Sequence, residues 1–342
     1  MGGGLVICVL IALAFFTSLA FTGFMAAAGL SDVPNARSAH SRVTPRGGAI
    51  GVLAALGICA LALPHLIPNL NFLPSFTPFL SLVFAVGIVG LTDDAMTLPT
   101  GLKMLVLGLI CALAVWAIGP VTQLPIGTES LSLPYVLGFV GSVLWLFTVT
   151  NIVNFMDGSN GLMGLSMSVA AFALFGISVS SGAPLSAVLA LIVGAAIVGF
   201  LPYNFRARAK VFAGDVGSLV IGFTYAGLIL LLISEAPNSS PVYAGPLLVL
   251  PFLADGLLTM ARRAMRGERI WQAHNQHIYQ RLIRGGRGHK NVAWIYGFLT
   301  LIMGNIVVYG ATKGWLTSPL ILIVPVILLS VIYIAASKRL PQ

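Results

Sequence analysis

Long apolar runs separated by short polar segments dominate this sequence. Cutting the chain at its charged and turn-rich clusters leaves eleven such runs, mostly 17–25 residues long. About 20 apolar residues cross a bilayer core as an α-helix, so the pattern predicts an all-α polytopic integral membrane protein with about eleven transmembrane helices. We expect one transmembrane domain over 1–342. The predicted spans are 4–28, 47–68, 76–92, 102–119, 135–153, 161–180, 185–201, 215–234, 243–261, 291–311 and 318–337.

The composition excludes a water-soluble protein. Hydrophobic residues make up 58% of the chain and charged residues only 8%, with a mean hydropathy of +1.00. A soluble domain carries about 25% charged residues. The three cysteines lie inside apolar runs and indicate neither a disulfide framework nor a redox compartment.

Basic residues predict the orientation of the spans. With the N-terminus outside, the inner segments and the C-terminal end hold 17 of the 18 lysines and arginines, which satisfies the positive-inside rule. The net charge of +9 then reflects a basic cytoplasmic face beside anionic lipid, and we expect no nucleic-acid partner. The predicted cytoplasmic loops are 29–46, 93–101, 154–160, 202–214 and 262–290.

One outer loop has a pattern of its own. Apolar side chains alternate between Pro120 and Pro134, at Leu124, Ile126, Leu131 and Leu133, which predicts a small β-hairpin.

Nearly all acids, amides and histidines fall in five segments that open on the predicted inner face. A secondary transporter would instead place polar groups near the midplane, on broken helices. The distribution therefore favours an active site at the cytoplasmic face over a transporter or flippase.

The first candidate group is Asp93-Asp94 at the end of the third span, with Lys103 at the start of the fourth. Adjacent carboxylates repel each other unless a cation or metal lies close by. The pair could bind a metal–diphosphate or accept a proton, or it could simply be a solvated helix end.

The second and third groups carry amides, acids and glycines. Amide side chains both donate and accept hydrogen bonds, as a nucleobase or sugar requires, although a capped helix–turn–helix would use the same residues. Glycines at a helix start expose N–H groups that bind phosphate, and an adjacent acid fits Mg²⁺ held between carboxylate and diphosphate. These residues are Asn151, Asn154, Asp157 and Asn160, followed by Phe212, Gly214 and Asp215.

The fourth group lies in the last inner loop, at His274, His277 and Arg281. Histidines three residues apart share a helix face, and the loop could recognise a diphosphate, set the topology or bind zinc. Asp255, inside an apolar run, is either functional or a partner for a loop arginine.

Taken in order, these motifs resemble one enzyme family. They are Asp32-Val-Pro-Asn35 with Arg37 and His40, Thr44-Pro-Arg46-Gly-Gly48, Asp93-Asp94, Asn154-Phe-Met-Asp157-Gly158, Gly214-Asp215-x-Gly217-Ser218 and the histidine-bearing loop. Over residues 30–290 the chain resembles the polyprenyl-phosphate N-acetylhexosamine-1-phosphate transferases.

The resemblance implies a reaction and its cofactor. A sugar-1-phosphate would pass from a UDP-N-acetylhexosamine to undecaprenyl phosphate, with release of UMP, in the bacterial cytoplasmic membrane. Mg²⁺, with Mn²⁺ as a substitute, is the expected cofactor. A homodimer is compatible with the sequence.

The resemblance also assigns roles to residues. Asp215 and Asn154 match metal ligands, Phe212 the aromatic ring that stacks on uracil, and Asp93 a base toward the lipid phosphate, with Asp94 in support. The remaining expected substrate-binding residues are Arg46, Lys103, Asn151, Asp157, Asn160, Gly214, His274, His277 and Arg281.

Two departures from the family pattern bear on the substrate. Asn160 stands where many bacterial members have aspartate, yet an amide can still pair with uracil. The last loop lacks the three consecutive histidines of the peptidoglycan translocase. The sequence is therefore more similar to the O-antigen-initiating subgroup, with the peptidoglycan translocase as the alternative.

The eleven-span topology can be tested by labelling. With the native cysteines replaced, Gln342→Cys should react with an impermeant maleimide only after the membrane is opened, because residue 342 would lie inside. Labelling in intact cells would contradict eleven spans and favour ten.

Overall fold

The computed structural model describes residues 3–28, 30–32, 44–236, 241–269 and 274–340, and this part of the chain is almost entirely helical. It contains thirteen α-helices, of which nine are long and apolar enough to cross a membrane. The predicted class, an all-α polytopic membrane protein, is confirmed. The motif residues Asn35, Arg37 and His40 lie outside the described residues.

The helices follow the predicted spans closely. Their bounds are α1 Gly3–Ala28, α2 Ile50–Leu66, α3 Phe76–Met96, α4 Thr100–Ile118, α5 Tyr135–Phe155, α6 Leu162–Ser180, α7 Pro184–Asn204, α8 Asp215–Glu235, α9 Ala244–Leu248, α10 Leu250–Met265, α11 Ile278–Arg284, α12 His289–Thr312 and α13 Leu320–Arg339.

Two predicted spans differ from the nine long helices. The span at 47–68 is the 17-residue helix α2, and the span at 243–261 is divided between α9 and α10. The division falls at Val249, two residues before Pro251. Proline has no N–H group and its ring clashes with the carbonyl four residues earlier, which interrupts the helix there.

The predicted inner loops are shorter than the hydropathy pattern suggests. Asp93 and Asp94 lie in α3, Lys103 in α4 and Asn154 in α5, and α10 continues through Arg263. A hydropathy boundary falls at the first polar residue, but the helix continues because its backbone bonds do not depend on side-chain polarity. The polar side chains therefore project from ordered helix ends.

Two small antiparallel sheets accompany the helices. The hairpin predicted between Pro120 and Pro134 is confirmed as β3, Gln123–Ile126, paired with β4, Glu129–Ser132, with Leu124 opposite Leu131. The sequence did not predict the other sheet, in which β1, Leu30–Asp32, pairs with β2, Thr44–Arg46. Asp93, Asn154 and Asp215 lie at one end of the bundle, which we call the polar end. The hairpin lies at the opposite end.

Helix α8 is the centre of the bundle. It packs against α2, α3, α4, α5, α6 and α7, and 94% of its most apolar stretch is buried. Close approach depends on glycine, because a Cβ at Gly90 of α3 would lie 2.5 Å from the Val216 Cα atom of α8. The rings of Phe79 and Phe223 stack at 5.8 Å between the same two helices.

Carboxylates hold some helix starts in place. At the hairpin end, Glu235 at the end of α8 accepts hydrogen bonds from the backbone N–H groups of Leu185 and Ser186, each at 2.8 Å. The first N–H groups of a helix have no partner within the helix and carry partial positive charge. Glu235 thus caps α7 from a neighbouring helix.

The contact between α3 and α8 can be tested with two glycines. Gly90→Ala should destabilise the protein by about 1–3 kcal/mol, because the added methyl group meets backbone rather than a flexible side chain. Gly108→Ala on α4 is the matched control, since nothing lies within 4 Å of its Cβ position. Thermal unfolding in detergent measures both, and equal midpoints would contradict the close contact.

Candidate active site

The site is organised around the carboxylate of Asp94. Its Oδ1 accepts the Asp215 N–H at 3.0 Å and its Oδ2 accepts the Val216 N–H at 3.1 Å. Asp94 is buried and caps the start of α8. We expected these N–H groups to bind a phosphate, but Asp94 occupies them. Its position indicates that Asp94 fixes α8 in place; its predicted catalytic role stays untested.

Gly214 makes this cap geometrically feasible. Its φ of +76° is a left-handed conformation that favours glycine, and a Cβ there would lie 2.5 Å from Asp94 Oδ2. The glycine is required by the approach of Asp94, whether or not it also contacts substrate.

The segment that precedes α8 is held by β2 and the residues that follow it. Phe212 donates its N–H to Pro45 O at 2.8 Å and accepts the Gly48 N–H at 2.8 Å, which brings the half-buried Phe212 ring beside the site. Arg46, on the same strand, donates from Nη2 to the backbone oxygen of Asp94 at 2.5 Å. Two predicted substrate-binding residues therefore lie beside Asp94.

Lys103 joins the two other carboxylates. Its ammonium donates to Asp93 Oδ2 at 2.8 Å and to Asp215 Oδ2. The second oxygen of Asp93 accepts the Leu98 N–H at 2.7 Å and stabilises the turn between α3 and α4. Adjacent Asp93 and Asp94 therefore have separate partners.

Asn154 completes the contacts of Asp215. Its amide nitrogen donates to Asp215 Oδ1 at 3.0 Å and to Ser218 Oγ at 2.8 Å, so the two predicted metal ligands are in direct contact. Asn151 lies one helical turn earlier and is buried, and its amide oxygen has no hydrogen-bond partner among the described residues.

The turn between α5 and α6 brings a fourth acid to the site. Burial and the negative charges of Asp215 and Asp94 raise the pKa of Asp157 well above its usual range. Asn160, in the same turn, donates to the backbone oxygens of Arg206 and Ala207 at 3.1 and 3.3 Å. Its amide nitrogen thus fixes the loop between α7 and α8, and its contact with uracil stays a prediction.

The charges of the site suit a divalent cation. Among the described residues, the carboxylates of Asp93, Asp94, Asp157 and Asp215 lie near the cations of Lys103 and Arg46, so acidic groups outnumber basic ones there. In the described part of the chain no three acidic, histidine or cysteine side chains converge closely enough to hold a metal by themselves. Mg²⁺ prefers few protein carboxylates and completes its octahedron with water and phosphate oxygens. Asp215 with Asn154 therefore fits a cation that arrives with a diphosphate.

The last loop is attached to a second buried carboxylate. Asp255 of α10 accepts the N–H groups of Ile278 and Tyr279 at 2.8 and 3.1 Å and the Tyr296 hydroxyl at 2.6 Å. The partner of Asp255 is therefore the start of α11 and not a loop arginine. His277 Nδ1 lies 3.5 Å from the same carboxylate.

The predicted helix face shared by His274 and His277 is wrong. His277 is the extended residue before α11, and His274 lies outside any helix, although the two rings are 4.7 Å apart. Helix α11 begins only at Ile278 because Asp255 caps it there. Burial and the charges of His277 and Arg263 lower the pKa of His274 to about 4.

Asp93, Asp94, Asp157 and Asp215, with Lys103 and Asn154, form what we call the acidic cluster. Arg281 makes its contacts elsewhere. Its guanidinium is buried and donates to the backbone oxygens of Ser337 and Leu340, at 2.8 and 2.6 Å, at the end of α13. These contacts tie α11 to α13, and a role in substrate binding stays a prediction.

Sequence reasoning missed two residues that shape the site. Asn204 accepts the Gly161 N–H at 2.7 Å and donates to Val211 O at 3.0 Å, which joins the α5–α6 turn to the α7–α8 loop. The Tyr279 hydroxyl donates to Phe155 O at 3.0 Å. Asn204 could have been noticed as an amide at the end of an apolar span, whereas nothing in the local sequence distinguishes Tyr279.

Comparisons with known proteins identify the family of this chain. The model of glycosyl transferase family 4 matches residues 76–233, which include Asp93, Lys103, Asn154 and Asp215. A probable undecaprenyl-phosphate N-acetylglucosaminyl 1-phosphate transferase of Bacillus subtilis (strain 168) is 29% identical over 298 residues, covering 84% of this chain and 80% of that protein.

Two further relatives come from other bacteria. The undecaprenyl-phosphate alpha-N-acetylglucosaminyl 1-phosphate transferase of Yersinia pestis is 32% identical over 268 residues, covering 75% of this chain and 70% of that protein. The decaprenyl-phosphate N-acetylglucosaminephosphotransferase of Mycolicibacterium smegmatis is 29% identical over 325 residues, covering 83% and 75%. The family resemblance of the motifs is confirmed, and the chain belongs to glycosyl transferase family 4, the polyprenyl-phosphate N-acetylhexosamine-1-phosphate transferases.

Proposed function

We propose that this protein transfers N-acetylhexosamine-1-phosphate from a UDP-N-acetyl sugar to undecaprenyl phosphate and releases UMP. The convergence of Asp93, Lys103, Asn154 and Asp215 at the polar end of an apolar bundle carries the proposal. A water-soluble nucleotide sugar and a lipid phosphate can meet only at such a boundary. The names of the relatives favour N-acetylglucosamine as the sugar.

The donor would bind across the segment before α8. Phe212 presents a half-buried aromatic ring two residues before Gly214 and three residues before Asp215. The diphosphate would lie against Asp215 and Asn154 through Mg²⁺, which supplies charge neutralisation. Phosphoryl transfer depends mainly on positioning and charge neutralisation.

The acceptor would approach Asp93 and Lys103. A lipid phosphate has a second pKa of about 6, so most of it is ionised at neutral pH without a base. Both oxygens of Asp93 hold partners, Lys103 and the Leu98 N–H. Asp93 would therefore orient Lys103 toward the lipid phosphate more than remove a proton from it.

The cell-surface glycan and the orientation belong to this proposal too. The His274-to-Arg281 pattern favours initiation of O-antigen-type glycan over the peptidoglycan translocase. The distribution of basic residues supports a polar end on the cytoplasmic side of a bacterial inner membrane. Purified protein, undecaprenyl phosphate and a panel of UDP-sugars, with UMP as the readout, distinguish these substrates. A transporter would release no UMP.

The role of Asp215 is tested by Asp215→Asn. The amide keeps the shape and one acceptor oxygen but loses the charge that would hold a cation against the diphosphate. UMP release should fall more than tenfold at saturating Mg²⁺, which is about 1.4 kcal/mol in the barrier, without a large change in thermal stability. Glu129→Gln on the exposed hairpin is the control. A rate above one tenth would contradict the metal assignment.

Nucleotide binding and chemistry should separate between two variants. Phe212→Leu should raise the KM for the UDP-sugar roughly 5- to 150-fold at nearly constant kcat, since stacking on a base contributes about 1–3 kcal/mol of uniform binding. Asp93→Asn should instead lower kcat with a modest change in KM. Steady-state kinetics with each substrate varied in turn measures both.

Phe298→Leu, at a ring exposed on α12, is the control for the loss of an aromatic side chain. If Phe212→Leu raises only the KM for the lipid, the ring lines the acceptor groove and the uracil assignment is wrong.

A further inference from the structure

Tyr279 fills the inside of the turn that follows α5. Its side chain is 1% exposed, and its hydroxyl donates to the backbone oxygen of Phe155 at 3.0 Å. A Cβ atom at Gly158 would overlap that hydroxyl. The turn from Asn154 to Gly158 therefore closes around the end of one tyrosine.

The position of Tyr279 is fixed from outside its own loop. Asp255 accepts the N–H groups of Tyr279 and Ile278, and Tyr296 of α12 donates its hydroxyl to the same carboxylate. Asp255 is 2% exposed. Burying a charged carboxylate is costly unless hydrogen bonds compensate for the lost hydration, so these three donors stabilise it. The start of α11 is thus held by both α10 and α12.

The same turn carries two residues of the acidic cluster. Asn154, one residue before Phe155, donates to Asp215 Oδ1, and Asp157 lies two residues after it. A shift of the Phe155 carbonyl would move both side chains relative to Asp215. Misplacement by about 1 Å can cost about 100-fold in rate.

We infer that Tyr279, held in place by Asp255, is a positioning residue that fixes the Asn154–Gly158 turn against Asp215 for the transfer reaction. The inference rests on the proposed function and adds a role for the last loop. Besides any contact with the sugar, this loop stabilises the Asn154–Gly158 turn through Tyr279.

The test compares two buried tyrosines that make the same kind of bond. Tyr279→Phe removes the hydroxyl bonded to Phe155 O, and Tyr225→Phe removes a hydroxyl bonded to Gly245 O at 2.7 Å, ten residues along α8 from Asp215. Both variants lose one buried hydrogen bond, so their thermal midpoints should fall alike. Only Tyr279→Phe should lower kcat, by about 10-fold or more, with both KM values within about twofold.

Hydrogen exchange gives a readout that needs neither substrate nor metal. The peptide covering 154–162 should exchange faster in Tyr279→Phe than in wild type and be unchanged in Tyr225→Phe. The inference is overturned if exchange and kcat match the Tyr225→Phe control, or if the turn loosens while kcat stays at the wild-type value.

Gly158→Ala provides a second, independent variant. Alone, its methyl group should displace the Tyr279 hydroxyl and lower kcat to a similar extent. Added to Tyr279→Phe it should cost less than about threefold more, because the overlapping hydroxyl is gone and the ring, no longer bonded to Phe155 O, has only to relieve the 3.1 Å approach of Cζ to the Cβ position. If the two losses of kcat multiply in the double variant, the two residues act separately, which contradicts the inference.

Failure of the proposed function gives a different result. If wild-type protein releases no UMP from any UDP-sugar tested, the transfer reaction is wrong and the positioning role for it is overturned as well. The exchange comparison then still decides whether Tyr279 fixes the turn.

Discussion

The candidate active site depends on one carboxylate and two backbone N–H groups. Asp94 at the end of α3 caps the start of α8, and this bond sets where Asp215 emerges from the most buried helix of the bundle. In an apolar environment an unpaired N–H group is costly, so the helix start needs a polar partner. Glycine at positions 90 and 214 allows the approach. Once α3 and α8 are joined this way, Asp93 and Asp215 both reach Lys103.

Carboxylates cap two other helix starts in the same way, although the chain has few acidic residues. Of its nine acidic residues, Asp94, Glu235 and Asp255 each accept two backbone N–H groups at the start of a helix, α8, α7 and α11 respectively. Each cap comes from a different helix, so it joins two elements that are distant in sequence. Asp215 instead contacts Asn154 and Lys103, and it is the acid to which the proposed function assigns the cation.

The cap formed by Asp255 explains how the last loop contributes to the site. His274 and His277 do not form a helical pair; they lie where Asp255 starts α11, and Tyr279 connects that start to the turn after α5. The acidic cluster is therefore supported on both sides, by Asp94 through α8 and by Asp255 through Tyr279. For a phosphoryl transfer that relies on positioning, such rigidity bears directly on rate.

The sequence by itself determined the helical membrane class, the positions of most spans, the hairpin between Pro120 and Pro134 and the family. It also singled out Asp93, Lys103, Asn154 and Asp215, which the structure brings into contact. Apolar length and turn chemistry are local properties, so they can be read along the chain. Only the tertiary structure decided that Asp94 and Asp255 cap helices, that Asn204 and Tyr279 join separate turns, and that Arg281 binds the end of α13. Each of these roles is defined by a partner at least 23 residues away, such as Ile278 for Asp255. A side chain's type fixes what it can bond to, but packing selects which of the many compatible partners it meets.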